Sequence, residues 1–155
     1  MNHTAEAFIV NELGDLIGER QAIDHVYFSA SNFVFTWFFY ETFDAHECHN
    51  GQCGIGVERT YSNDDLYTCR SRLLYYFEEN VEDLQRYIET YVSEKDIVDT
   101  IEQITELTEP SIFESQYSEI ERNYDPINIG LAVGYILKFV DRLIELDEHI
   151  KIEFN

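Results

Sequence analysis

Positive charge is what this chain has least of. Its 155 residues carry ten Lys and Arg against thirty-one Asp and Glu, a net charge of −21, and the only lysines are Lys95, Lys138 and Lys151. A small domain ordinarily carries a net charge of magnitude about 2–8. The deficit excludes direct contact with DNA, RNA or an anionic membrane as the main business of the surface, because their phosphates would be repelled.

Proline and cysteine are scarce as well. The two prolines, Pro110 and Pro126, leave no room for a proline-rich linker. The three cysteines, Cys48, Cys53 and Cys69, are too few and odd in number for a disulfide framework, and they fit a reducing compartment. The longest apolar stretch, Ile127 to Val140, is broken by Asn128 and Lys138. It falls short of the about 20 residues a membrane span needs. The first residues, Met1-Asn2-His3-Thr4-Ala5-Glu6, have no basic segment and no apolar run of a secretory signal. A soluble cytoplasmic protein is the expectation.

Catalytic signatures are missing too. There is no glycine-rich phosphate loop, no Gly-x-Ser-x-Gly elbow and no His-Glu-x-x-His helix. The reading is of a protein that is not an enzyme and needs no cofactor.

What is present is a foldable acidic chain. Hydrophobic residues make up 45% of it, with 11 Tyr, 11 Phe and Trp37, more than a disordered acidic tail would hold. The acidity is not confined to one end: residues 1–50 carry 8 acids and 1 base, 51–100 carry 11 and 5, and 101–155 carry 12 and 4. One acidic domain spanning 1–155 is therefore expected.

Spacing predicts mostly helix. Thr4 can cap a first helix with Ile9, Leu13, Leu16 and Ile17 on one face, ending near Gly18 or Arg20. Residues 26–43 are β-branched and aromatic, and 33–43 accepts either a strand or a buried helix. If it is a strand, residues 45–56 form a loop and Val57–Tyr61 returns as its hairpin partner. Ser62 with Asp65 resembles a capping box before Leu66, Cys69, Leu73 and Phe77. Further helices are read from Asn80, from Ser93 to Pro110 and from Ser111. A last one runs from Pro126 to about His149 along Ile129, Val133, Ile136, Val140, Leu143 and Ile144. The sum is a mainly α, single-domain helical bundle with room for one β-hairpin around residues 33–61.

Acids on these helices give the functional reading. Asp99, Glu102, Glu106 and Glu109 recur at spacings of three and four, opposite Ile97, Ile101 and Ile104. Asp141, Glu145 and Glu148 repeat the arrangement, and Glu78, Glu82 and Asp83 cluster on another helix. Carboxylates in a row on one face repel each other by about 0.2–0.5 kcal/mol per pair, a cost that a cationic partner would offset. A solvated face is the plain alternative, as is adaptation to a salty cytoplasm. Tyrosines are strewn among the acids, and Tyr75 and Tyr76 adjoin, so both cannot enter the core. Tyrosine is a favoured interface anchor.

These features point to an acidic inhibitory protein that neutralises a basic, nucleic-acid-acting partner. The leading expectation is an immunity protein or antitoxin that blocks a cognate nuclease toxin. The alternative is a phage or mobile-element DNA mimic that blocks restriction or CRISPR proteins. The partner-binding residues are Tyr75, Tyr76, Glu78, Glu82, Asp83, Asp99, Glu102, Glu106 and Glu109. A third reading is a small zinc-stabilised module built on His46, Cys48, His49 and Cys53 with Cys69. The spacing is Cys-x4-Cys with no second tight pair, which is weak for zinc.

Overall fold

The computed structural model describes residues 2–29, 33–45, 48–49, 52–53, 56–80, 99, 101–102 and 126–155. In chain order the elements are β1 (Asn2–Val10), β2 (Asp24–Ser29), α1 (Phe33–Phe43), β3 (Cys48–His49), β4 (Gln52–Cys53), β5 (Glu58–Tyr61), α2 (Asn63–Asn80), α3 (Pro126–Glu145) and β6 (His149–Phe154). Asp99, Ile101 and Glu102 are also helical.

The architecture corrects the helical-bundle expectation. It is a mixed α/β fold, in which an antiparallel sheet of order β2-β1-β6-β5 packs against helices. The first nine described residues, expected as a helix from Thr4, are strand β1 at the centre of that sheet. Leu13 and Ile17, expected on that helix's buried face, are instead 87% and 59% exposed.

The sheet follows from period-two alternation. In β6, Ile150, Ile152 and Phe154 are buried on the helix face. Register sets them opposite Ile9, Ala7 and Ala5 of β1. The small alanines leave space for the aromatic side chains of α1. Phe39 sits 5.9 Å from Phe154, 5.1 Å from Phe43 and 6.2 Å from Phe139, ring centroid to centroid, in edge-on and tilted arrangements. Aromatic rings prefer such geometries over face-to-face stacking.

Residues 33–43 are thus a helix, not half of a hairpin. Phe38, Phe39, Tyr40, Thr42 and Phe43 are buried and Glu41 is half-buried, so the second half of the helix lies against the core on most of its sides. The expected hairpin partner, β5, pairs with β6 instead. A hairpin does occur within residues 33–61, but it is β3 with β4.

The end of α1 is held by neighbours. Asp44 turns into the left-handed region (φ 52°), where Asp is tolerated better than most residues. The Arg72 guanidinium donates to the Thr42 carbonyl at 2.7 Å, and the Tyr61 hydroxyl donates to the Phe43 carbonyl at 2.6 Å. Both satisfy carbonyls that a helix C-terminus leaves open.

Helix α2 begins with the expected capping box. Ser62 Oγ accepts from the Asp65 amide (3.1 Å), and the Asp65 carboxylate accepts from the Ser62 amide (2.9 Å). Its expected stripe, Leu66, Cys69, Leu73 and Phe77, is buried. On α3, Val133, Ile136, Val140 and Leu143 are buried as expected. That helix stops at Glu145, four residues before the expected end, with Asp147 in the left-handed region (φ 51°) and His149 already in β6. The helices expected after Asn80 and from Ser111 lie outside the described residues, as does the one from Ser93 to Pro110 apart from Asp99, Ile101 and Glu102.

The other face of the sheet carries charge. Register places Glu6, Glu153 and Glu58 on one rung across β1, β6 and β5. Like charges directly opposite are destabilising, and cations reach in to offset them. Arg20, from the β1–β2 connection, pairs with both carboxylate oxygens of Glu153 and lies 4.6 Å above the Phe8 ring. Lys151 lies 3.5 Å from Glu58 and 3.7 Å from Glu153.

Hydrogen bonds from Arg20 hold the Glu153 carboxyl below its ordinary value of 4.5, overcoming the opposing effect of burial. A carboxylate whose value falls on folding stabilises above the unfolded value, and the contribution is lost as pH falls through the folded one. Glu153→Gln is therefore expected to be less stable than the wild type at neutral pH, with the gap closing below about pH 4.5. Urea midpoints of the two proteins across that range check it; a gap independent of pH contradicts the pairing.

Candidate functional site

The exposed face of α2 is where the sequence-derived site and the structure meet. With Leu66, Cys69, Leu73 and Phe77 turned inward, the helical period turns Asp64, Tyr67, Ser71, Tyr75 and Glu78 outward. Tyr67 and Tyr75 are 53% and 56% exposed, large aromatic surfaces left in water. Asp64 and Glu78 bracket them about 21 Å apart along the axis, at 1.5 Å per residue.

Tyr76 plays a different part from its neighbour. It packs partly against the core, and burial together with a hydrogen bond to the Glu41 carboxylate raises its hydroxyl pKa. The Tyr75 ring meets it edge-on, 5.8 Å between centroids at 63°. Tyr76 is thus half-buried where Tyr75 is exposed, and its ring braces that of Tyr75.

The two arginines of α2 are engaged by other elements. Arg70 pairs with Asp141 of α3 at 2.8 Å, and Arg72 holds the end of α1. Arg142 pairs with Asp24 of β2 at 2.7 Å. These bonds consume Asp141 as a member of the expected row Asp141, Glu145 and Glu148. Glu148 lies beyond the end of α3, so that row is not one helical face. Glu145 and Glu148 remain exposed.

Of the second expected row, Glu102 is exposed, Asp99 is half-buried and Ile101 between them is buried in the core. That is the inward and outward split expected for an amphipathic helix. Glu82, Asp83, Glu106 and Glu109 lie outside the described residues.

Two features escaped the sequence reading. Tyr67 belongs to the outward α2 face, and the spacing of Tyr67, Ser71 and Tyr75 at four residues was the available signal. An apolar patch also lies on the β1–β2 connection, where Leu13, Ile17 and Ile23 are exposed beside Glu12, Asp15 and Glu19. It borders a cavity of 530 Å³ lined by Ile9, Leu16 and Ala22 among others. Gly14 (φ 84°) brings this connection over the sheet, and a Cβ there would sit 3.1 Å from Thr60 Oγ1.

The zinc expectation finds no support from Cys69. That thiol is buried in the core, and desolvation pushes its pKa up to about 12, away from the thiolate a metal needs. His46 lies outside the described residues, Cys48 and His49 form β3 and Cys53 belongs to β4. Among the described residues no group of three or more His, Cys, Asp or Glu could hold a metal ion. Among the same residues no helix is long and apolar enough to cross a membrane.

Comparison with protein-family models, with curated proteins and with solved structures returned no match.

Proposed function

We propose that this chain is an acidic inhibitor that covers the basic nucleic-acid-binding surface of a partner protein, in the manner of an immunity protein against a nuclease toxin. One observation carries the reading: the exposed face of α2 sets Tyr67 and Tyr75 between Asp64 and Glu78, while the helix's own Arg70 and Arg72 are tied to Asp141 and to the end of α1. The acid excess is left facing outward. Rigid aromatic area ringed by charge of one sign suits a partner whose cleft carries Lys and Arg around an apolar floor.

The arrangement favours immunity over DNA mimicry. A mimic of duplex DNA needs a regular array of negative charge, whereas here two tyrosines and a serine separate the acids. A single complementary patch asks less of the surface.

The test is affinity capture from host extract at low ionic strength with elution by salt. The expected result is a basic, nucleic-acid-acting protein that loses its activity when an equimolar amount of this chain is added. Retention of nothing at low ionic strength would sink the reading.

A further inference from the structure

The two cysteines of the β3–β4 hairpin are opposite one another. Register pairs His49 with Gln52 and Cys48 with Cys53. Only Asn50-Gly51 separates His49 from Gln52 in the sequence, the dipeptide most favoured for a two-residue hairpin connection. In a hairpin of that length the residues flanking the connection exchange both backbone hydrogen bonds. The next pair outward is then a non-hydrogen-bonded pair, with Cα atoms about 4.5 Å apart. That separation falls within the roughly 4.4–6.8 Å window that a disulfide bridges, and directly opposite residues share one face of the ladder.

We propose that Cys48 and Cys53 are a dithiol pair that forms a reversible disulfide across this hairpin. The oxidant is a low-molecular-weight disulfide of the glutathione type. The thiolate of one cysteine attacks it, forming a mixed disulfide and releasing one small thiolate, which takes up a proton. The second cysteine, deprotonated, attacks the protein sulfur of that mixed disulfide and expels the second small thiolate, which is protonated in turn. Two cysteine S–H bonds are lost, one S–S bond forms between the strands, and one small-molecule disulfide becomes two thiols.

The hairpin has reason to depend on such a bond. Two residue pairs make a ladder too short to be stable alone, so closing a ring between Cys48 and Cys53 changes how firmly the segment is held. Cys69 is no competitor for either sulfur, being buried in the core on α2 with its thiol strongly protonated. In a reducing compartment a bond of this kind serves as a redox-responsive element and not as a permanent staple. The proposal is independent of the partner-binding reading.

The experiment uses the full chain, reduced, treated with chelator and equilibrated in glutathione buffers of stepped oxidised-to-reduced ratio. Acid quenching, alkylation after denaturation and mass spectrometry then follow. The expected result is loss of two of the three alkylatable thiols, a mass lower by two hydrogens, and an internal link within the peptide containing residues 48–53. Cys48→Ser and Cys53→Ser should each convert that product into a glutathione adduct on the remaining cysteine, a readout that does not depend on stability. The proposal is overturned if the wild type accumulates glutathione adducts without ring closure, or keeps all three thiols at the most oxidising ratio. It is equally overturned if the protein purifies with one equivalent of zinc that Cys48→Ser abolishes.

Discussion

Phe39→Ala is expected to remove about 3–5 kcal/mol of folding stability, the range for truncating a buried phenylalanine. Phe39 is fully buried and meets four other rings: Tyr40 and Phe43 on its own helix, Phe139 on α3 and Phe154 on β6. It therefore joins all the layers, and its loss opens a void that no single neighbour can fill. For a chain of this length each kcal/mol moves the midpoint by about 2–4 °C, so the melting temperature should drop by roughly 6–20 °C. Total stabilities of about 5–15 kcal/mol leave little reserve after such a loss. Phe39→Leu, which retains most of the volume, should cost much less. Glu78→Gln on the open α2 face should stay within about 0.5 kcal/mol. Thermal melts of the three variants check the ranking. Equal melting temperatures for Phe39→Ala and Phe39→Leu would mean that the aromatic cluster is not the structural centre.

The layers joined by Phe39 also show which signals the sequence made legible. The capping box at Ser62 and the inward stripes of α2 and α3 were readable because local hydrogen-bond chemistry and helical period agree there. The sheet was missed for a different reason. In β1 the buried positions facing the helices are Ala5 and Ala7, residues with no strand preference. They are alanines because Phe154, nearly 150 residues away on β6, and the α1 rings need the space.

Strand β6 did announce itself. His149-Ile150-Lys151-Ile152-Glu153-Phe154 alternates polar and apolar without a break, but it follows directly on a long helical pattern read to about His149 and is too short and terminal to have been assigned. The run at 33–43 was undecidable by period, since nearly every residue in it is apolar. The structure resolves it: the run is helix α1, and β5, the strand expected to pair with it, pairs with β6. On the candidate site, Tyr75 and Glu78 were legible from helix phase. The commitment of Asp141 to Arg70 was not, because the two residues belong to different helices. The apolar patch at Leu13 and Ile17 was hidden by a helix-like spacing in a segment that forms no helix.

The outward face of α2 yields the other large expected effect, and it separates two physical contributions. Changing Asp64 to Asn together with Glu78 to Gln should slow association with the basic partner by several-fold at low ionic strength, since long-range attraction acts on encounter. The same variant should show a shallower dependence of on-rate on salt. Tyr75→Ala should act on dissociation instead. Its ring is exposed yet already braced edge-on by Tyr76, which is itself bonded to Glu41, so little freedom remains to be lost on binding. Truncating an anchor of this kind costs about 2 kcal/mol or more, a dissociation rate about 30-fold faster or more. Paired Leu13→Ser and Ile17→Ser on the β1–β2 connection serve as the competing surface. Should that pair weaken binding while the α2 variants leave both rates unchanged, the partner sits on the opposite side of the sheet. On-rates that ignore salt in the wild type would remove electrostatic steering from the mechanism altogether.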